Sequence, residues 1–154
     1  MAFAQAKAYL DSCGLGDRVT EFAVSSATVK EAAEAVGSSE GEIAKTLSFL
    51  VGEEAVLILA AGDCKIDNSK YKAEFKAKAK MIPFEEVEER IGHAVGGVCP
   101  FGIREGIKVY LDQSLKEYEI VYPACGSANS AVKLTIPELE MASRSLKWVD
   151  VCKK

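Results

Sequence analysis

The sequence predicts a single α+β domain over residues 1–154, built on a mixed β-sheet. Helical and strand-like segments alternate irregularly, and neighbouring strands are often joined by short turns, which favours α+β over a doubly wound α/β fold. A Gly-x-Gly-x-x-Gly loop, the mark of dinucleotide binding in that second class, is missing from the sequence. With 49% hydrophobic and 27% charged residues, the chain has the composition of a folded domain that buries about two thirds of its unfolded surface.

The first third of the chain predicts two helices, a short strand and a tight turn. Phe3–Leu10 is expected to be helical and Val19–Val24 to be a strand. Thr28-Val-Lys-Glu31 has the spacing of a capping box, so we expect a helix that begins there and ends at Gly37. Ser39-Glu-Gly-Glu42 repeats the same spacing over a shorter turn.

A β-hairpin is expected in the middle of the chain. Ile43–Val51 and Ala55–Ala61 are rich in β-branched and other apolar residues, and Gly52-Glu-Glu lies between them. Two such runs separated by a short glycine-containing turn are typical of antiparallel strands joined directly.

The remaining chain predicts three more helices and four strands. Asn68–Phe75 is expected to be helical, with Asn68 as its cap, and Pro83–Arg90 to carry its proline in the first turn. Thr135-Ile-Pro-Glu138 has capping-box spacing before a late helix. The expected strands are Ile107–Leu111, Tyr118–Tyr122, Ala131–Leu134 and Lys147–Val151.

Composition argues against a membrane protein and a metalloprotein. The longest apolar runs, such as Ala55–Ala61, are much too short to cross a bilayer, and Met1–Leu10 lacks the long apolar core of a signal peptide. We therefore expect a cytoplasmic protein without a membrane partner. The five cysteines are scattered without a Cys-x-x-Cys pair and His93 is the single histidine, which predicts free thiols, no metal site and no cofactor.

Charge is unevenly distributed around a net value of −4. Six lysines fall between Lys65 and Lys80, and four glutamates follow between Glu85 and Glu89. The overall charge argues against a protein that coats nucleic acid. The lysines are interpreted either as one of two solvated helix faces of opposite sign or as a local patch that contacts phosphate.

Lys45 is the most informative single residue. Period-two alternation places it on the same strand face as Ile43 and Leu47. A charged group on an apolar face is costly unless it is paired. Either the ammonium reaches solvent at the strand end, or an anionic group such as a phosphate meets it.

Two further segments are built from small residues. Ala94–Gly102 has three glycines, a proline and no charge, so its exposed amides could hold a carbonyl oxygen or a developing oxyanion. Tyr122–Ser130 could form a second pocket wall. Either segment is also explained as a structural turn. The aspartates of Gly62–Asp67 are interpreted first as helix caps.

Taken together, these segments resemble the YbaK/prolyl-tRNA-synthetase-associated domain family over about Thr28 to Ala142. The motifs that carry the resemblance are Ile43-Ala-Lys-Thr46, Gly62-Asp63 with Asp67 and Lys70, Gly96-Gly-Val-Cys-Pro100-Phe-Gly102, and the segment from Gly126 to Leu139. The resemblance implies a central, partly barrel-like mixed sheet flanked by helices. It also implies hydrolysis of the ester that joins an amino acid to the terminal adenosine of tRNA.

The resemblance assigns roles to particular residues. Lys45 would position the terminal nucleotide, Gly96–Pro100 would hold the aminoacyl group and Gly126-Ser127 would form the opposite wall. Cys125-Gly-Ser-Ala-Asn129 departs from the Gly-Arg-Gly-like or histidine-bearing wall of many relatives, which leaves the selected amino acid open. Cys99 stands where relatives often have serine or threonine, so we expect its sulfur to line the pocket. The expected catalytic residues are Lys45, Gly96, Gly97, Cys99 and Pro100, and the expected substrate-binding residues are Thr46, Asp63, Val98, Phe101, Gly126 and Ser127.

The resulting hypothesis is a trans-editing deacylase that removes a small misattached amino acid such as Ala, Cys or Ser, with tRNA(Pro) as the expected carrier. Its partners would be the aminoacyl-tRNA 3′ end and, as one possibility, prolyl-tRNA synthetase. Backbone amides of Gly96–Cys99 would orient the ester carbonyl and Lys45 would anchor the terminal adenosine or its phosphate. The alternatives are a non-catalytic aminoacyl-tRNA binding module and a thiol enzyme that uses Cys99 with His93 as base.

Overall fold

A computed structural model describes residues 2–154 and has the expected mixed α+β architecture. The helices are α1 (Ala2–Ser12), α2 (Val29–Val36), α3 (Asn68–Phe75), α4 (Phe84–Ile91) and α5 (Ile136–Ser143). The strands are β1 (Val19–Glu21), β2 (Ile43–Val51), β3 (Glu54–Ala61), β4 (Lys65–Ile66), β5 (Lys108–Asp112), β6 (Ile120–Pro123), β7 (Ser130–Val132), β8 (Leu134–Thr135), β9 (Lys147–Val149) and β10 (Cys152–Lys153). Short 3-10 turns lie at Gly16–Arg18, Glu40–Glu42 and Gln113–Glu117.

Six strands form the central sheet, in the order β8-β6-β2-β3-β5-β9, which curls into a half-barrel. The pairs β2·β3 and β6·β8 are antiparallel, whereas β2·β6, β3·β5 and β5·β9 are parallel. The predicted mixed sheet is confirmed. Hairpins account for less of it than expected, because the strands on both sides of the β2·β3 hairpin join it in parallel.

The β2–β3 hairpin and the capping box of α2 form as predicted, whereas the cap of α3 is a different residue. Gly52 adopts a φ of +63° in the β2–β3 turn, a conformation that costs glycine little. Thr28 and Glu31 make the reciprocal bonds of a capping box at α2, and Gly37 ends that helix in the left-handed conformation. Asp67, rather than Asn68, caps α3 by accepting the Lys70 N–H at 3.1 Å.

Several strand boundaries differ from the prediction. The first strand ends at Glu21, and the expected strand Ala131–Leu134 is divided at Lys133, whose N–H donates to the carbonyl of Arg18. Its two halves pair with different strands, β1 and β6. The expected strand Lys147–Val151 likewise ends at Val149, and β10 then pairs with β4, a two-residue strand that the sequence did not indicate.

The core lies on both faces of β3, the strand between β2 and β5. Residues 56–61 of β3 are almost completely buried. Helix α3 packs against the sheet through Tyr71, whose ring lies 5.1 Å from that of Phe49 and 4.7 Å from that of Phe75. After α3, residues 76–82 form a segment, here called the strap, that begins at the left-handed Lys76 and runs beside β2 through an antiparallel bridge between Met81 and Phe49.

No helix among residues 2–154 is long and apolar enough to span a membrane.

Candidate functional site

A cleft of about 450 Å³ opens at the edge of β2, where β6 and the strap diverge. Its walls come from Ser26–Val29 and Ala32, from residues 43–48 of β2, from Met81, Ile82, Phe84 and Val87, from Val95, Gly96 and Val98, and from Tyr122, Ala124, Ser130 and Ala131. Small and apolar side chains dominate these walls. Within the described part of the chain, Lys45 is the single charged side chain that lines this cleft.

The Lys45 ammonium is held by carbonyl groups. Nζ donates to the carbonyl oxygens of Cys64 and, at 3.5 Å, of Gly62, in the turn that follows β3. No carboxylate in residues 2–154 lies within ion-pair distance of it. The sequence left two arrangements open for this ammonium, solvent exposure at the strand end or an anionic partner. The structure shows a third, in which neutral carbonyl dipoles orient it. Since an ammonium group has three N–H donors, one remains for a ligand.

The two glycine-containing loops meet behind the cleft. The Gly126 N–H donates to the Gly97 carbonyl at 3.0 Å, and a Cβ on Gly97 would lie only 2.5 Å from the Ser127 nitrogen. Gly96 has a φ of +98°, and a Cβ on it would lie 3.3 Å from that of Ala27 and 3.6 Å from that of Ala128. Glycine is needed here because any side chain would separate the loops.

Helix α1 supports both loops from the far side. A Cβ on Gly126 would lie 2.5 Å from the Ala2 carbonyl oxygen, and one on Gly102 would lie 2.7 Å from that of Gln5. Phe101 packs on Tyr9 of α1 with ring centroids 6.3 Å apart. The apolar side chain of this loop thus anchors it to the core, while Gly96 lines the cleft.

The structure brings together part of the predicted site. Lys45, Thr46, Gly96 and Val98 line the cleft. Gly97, Gly126 and Ser127 form the layer directly behind it. The other predicted residues lie elsewhere: Cys99, Pro100 and Phe101 are buried in the core, and Asp63 lies beyond the end of β3, near Lys154 and Tyr118.

Cys99 has the environment of a structural thiol. The side chain is fully buried and sits behind the cleft wall, so its sulfur does not line the pocket as expected. Burial raises the pKa of the Cys99 thiol, and that opposes formation of the nucleophilic thiolate. His93, also fully buried, places Nε2 2.7 Å from the Phe101 carbonyl oxygen, and desolvation lowers its pKa. Both side chains contact that one oxygen, so neither is arranged as half of a nucleophile–base pair.

Two of the family-motif residues have structural roles. Lys70 forms an ion pair with Asp150 at 3.0 Å, and Asp67 caps α3. The interpretation of Asp67 as a helix cap is confirmed.

Sequence reasoning identified Thr46 but missed Ser26 and a group of apolar residues at the rim of the cleft. The hydroxyl of Ser26 is buried without a hydrogen-bond partner, as is that of Thr46. At the rim, Met81, Phe84 and Val95 are exposed, Phe84 to 75%. A serine before a helix cap and apolar residues at a helix start are ordinary in sequences, so no local signal distinguished them.

Comparison with solved structures places the fold in a defined class. A candidate trans-editing enzyme for prolyl-tRNA synthetase superimposes with a TM-score of 0.89, at 31% identity over 99% of this chain and 98% of the other. The hypothetical protein APE2540 superimposes with a TM-score of 0.86, at 27% identity over 97% and 99% of the two chains. The curled mixed sheet with a cleft at the edge of β2 thus has the fold of a trans-editing-type α+β domain.

Sequence comparison identifies the family within that class. The family model for the aminoacyl-tRNA editing domain matches residues 24–142, and the chain belongs to this family. An uncharacterised protein of Bacillus subtilis (strain 168), YwhH, is 55% identical over 136 residues, which are 88% of this chain and 87% of that protein. A proline–tRNA ligase of Halalkalibacterium halodurans is 34% identical over 104 residues, 67% of this chain but only 18% of the ligase.

Proposed function

We propose that this protein is a trans-acting deacylase that hydrolyses the ester between a small misattached amino acid and the 3′-terminal adenosine of tRNA. Water would add to the ester carbonyl carbon and the bond to the ribose oxygen would break. The products are the free amino acid and a ribose hydroxyl that takes up the proton.

The observation that carries this proposal is the single cleft shared by Lys45, Thr46 and the Gly96–Val98 loop. The spare N–H of the oriented Lys45 ammonium suits a phosphate oxygen of the terminal nucleotide. Loop residues with small side chains leave room for a small amino acid and exclude larger ones. Such a sieve is useful because a synthetase pocket gains only about 1–3 kcal/mol from one methylene and admits smaller amino acids.

Within this proposal, we expect tRNA(Pro) to be the tRNA that is edited. The structural neighbour is described as a candidate trans-editing enzyme for prolyl-tRNA synthetase, and the similar stretch of a proline–tRNA ligase covers two thirds of this chain. The direct experiment incubates the protein with alanyl-, cysteinyl-, seryl- and threonyl-tRNAs, each amino acid also being carried on tRNA(Pro). We expect rapid release of a small amino acid from tRNA(Pro), and release of none would disprove the proposal.

Lys45→Ala tests the mechanism. Loss of the ammonium should lower kcat/KM on misacylated tRNA(Pro) by about 10- to 150-fold, the effect of losing one charged hydrogen bond to the substrate at about 1.5–3 kcal/mol. Lys45→Arg is the matched control for retained charge, and a thermal melt checks that the turn at Gly62 still folds. A Lys45→Ala turnover within a few-fold of wild type would remove this residue from the mechanism.

A non-catalytic binding module is the second candidate. The observation in its favour is the lack, in the described residues, of a carboxylate or imidazole on the cleft wall that could act as a general base. A deacylase with this cleft would depend on groups of the substrate itself to direct the water. A time course separates the two candidates, because a binding module would retain the charged 3′ end without shortening the lifetime of the ester.

A further inference from the structure

The outer edge of β2 is covered by two different neighbours with a gap between them. β6 pairs with residues 43–44. Further along, the strap takes over: the Ile82 N–H donates to the Ser48 carbonyl at 3.1 Å, and the Leu50 N–H donates to the Lys80 carbonyl at 2.8 Å. The cleft occupies the interval between these two covers.

Thr46 lies in this interval with its main-chain groups facing outward. Successive residues of a strand direct their N–H and C=O groups to opposite edges of the strand. Because Ser48 and Leu50 bond to the strap, the even-numbered residues of β2 face the outer edge and the odd-numbered ones face β3. Within residues 2–154, neither Thr46 main-chain group has a partner on this edge, and the Ser48 N–H also has none there.

The two free groups of Thr46 make up one residue of strand edge in a largely apolar cleft, next to the free Ser48 N–H. Main-chain polar groups in such places are nearly always bonded to protein, water or ligand. The unpartnered hydroxyls of Ser26 and Thr46 border the same cleft. An occupant that supplies both a hydrogen-bond acceptor and a donor, spaced as in one amino-acid residue, would complete the edge.

We propose that the edge of β2 at Thr46 binds the main-chain atoms of the aminoacyl group, an inference that rests on the proposed function. The Thr46 N–H donates to the ester carbonyl oxygen, and the α-amino group donates to the Thr46 carbonyl. The second lone pair of the ester oxygen stays available to the Gly96–Val98 loop, where the Gly97 N–H itself already bonds the Ala94 carbonyl at 3.0 Å.

This arrangement explains how the cleft would accept different small amino acids and exclude larger ones. Main-chain bonds are common to all α-amino acids, so they give affinity without selecting a side chain. A residue docked on a strand edge directs its side chain out of the plane of the sheet. In this cleft, the side chain would meet Ala27, Ala124 and Val98, and their positions would set the size limit.

Amide hydrogen exchange measured by NMR tests the inference on the intact protein. In the free protein, the Thr46 amide should exchange at least about tenfold faster than those of Lys45 and Leu47, which bond to β3 and serve as internal controls. The probe is 3′-deoxy-3′-(L-alanylamino)adenosine, a hydrolysis-resistant amide analogue of a charged 3′ end. Its binding should slow exchange at Thr46 and leave the control amides unchanged.

A second analogue that lacks the α-amino group, the propanoylamino compound, tests the carbonyl bond. It should bind about three- to tenfold more weakly, as expected for one lost hydrogen bond. A Thr46 amide as protected as its neighbours in the free protein would overturn the inference. So would binding of the alanyl analogue, seen in the resonances of Gly96 and Val98, without an effect at Thr46. The deacylation panel tests the proposed function separately. If the protein releases the amino acid but fails the exchange test, the inference about Thr46 is wrong and the proposed function stands.

Discussion

Carbonyl dipoles, rather than a carboxylate, hold the Lys45 ammonium in place. A carboxylate partner would have neutralised the charge that an incoming phosphate needs. The peptide dipoles of Gly62 and Cys64 fix the direction of the side chain without cancelling that charge. This residue could be recognised from the sequence because a lysine within a strand of alternating apolar residues is energetically costly and calls for a compensating interaction.

The loop that contains Cys99 shows where residue-level prediction failed. A run of small residues indicates that the backbone approaches something closely, but it does not say which side chains face the cleft. Gly96 and Val98 face it, whereas Cys99 and Phe101 face the core. That division depends on Tyr9 of α1, which is distant in sequence and receives the Phe101 ring.

Thr46→Val should leave the free energy of unfolding unchanged or raise it by about 1 kcal/mol, because the hydroxyl it removes is buried without a partner. Ser130→Ala is the matched control: its hydroxyl lines the same cleft but lies 2.6 Å from the Ser127 hydroxyl, so its loss should cost about 1 kcal/mol. Urea unfolding of both variants makes the comparison. A Thr46→Val variant as destabilised as Ser130→Ala would show that the Thr46 hydroxyl is bonded in the free protein.

Cys99→Ala should retain deacylase activity within about threefold of wild type while losing on the order of 1 kcal/mol of stability, because the sulfur fills core volume behind the cleft. Deacylation rates at a temperature well below the melting transition separate the two effects. Complete loss of turnover in a folded Cys99→Ala protein would instead favour the thiol enzyme.

At the scale of elements, the sequence predicted the long strands, whose residues have an apolar strand pattern. It missed short strands that form only because another segment pairs with them. The hairpin strands β2 and β3 are long and apolar, and they were found almost to the residue. β4 has two residues and exists because β10 reaches it from the other end of the chain. The end of the strap likewise lies beside β2 because Leu50 and Ser48 bond to it, although its lysine-rich sequence gives no strand signal.

The loop between α4 and β5 is closed by a buried histidine, which predicts a pH-dependent stability. Burial lowers the pKa of His93 below its usual 6.5, so the folded protein resists a proton that the unfolded chain accepts. Stability is therefore complete above about pH 6.5 and falls as the pH is lowered through that value toward the folded pKa, by at most about 1.4 kcal/mol per pH unit.

Melting temperatures of wild type and His93→Gln between pH 5 and 7.5 measure this contribution. The glutamine keeps a donor for the Phe101 carbonyl but cannot be protonated, so the wild-type curve should fall more steeply toward pH 5. The carboxylates Asp67 and Glu138, whose pKa values are lowered, lose stability only below this range and affect both proteins alike. Parallel curves would show that His93 does not titrate with unfolding.

Across the whole molecule, charge is arranged asymmetrically around the mouth of the cleft. The strap carries Lys76, Lys78 and Lys80, which are exposed and make no ion pair within the described residues. The last two residues of the strap, Met81 and Ile82, lie on the cleft wall. Because these lysines lie between α3 and α4 and not on a helix, the interpretation as a basic helix face is wrong for them.

The acidic run does lie on a helix. Glu85, Glu88 and Glu89 are exposed on α4, beside the rim residue Phe84. An RNA that enters the cleft should therefore have its backbone on the strap side and away from α4. The net charge of −4 does not reveal this separation of lysines and glutamates, because the local electric field depends on where the charges lie and not on their sum.

Replacing Lys78 and Lys80 with glutamine should weaken binding to tRNA and flatten its dependence on salt. Each lost phosphate contact removes about 0.7–0.9 from the slope of log K against log salt, so the double variant should lose about 1.5. The matched control is Lys108→Gln with Lys147→Gln, which removes the same charge on the far strands β5 and β9, where the lysines already pair with Glu54 and Glu74. Binding of the alanylamino adenosine analogue, which has no phosphate, should be unaffected in both variants. An unchanged salt slope in the strap variant would mean that the RNA backbone leaves the cleft by another side.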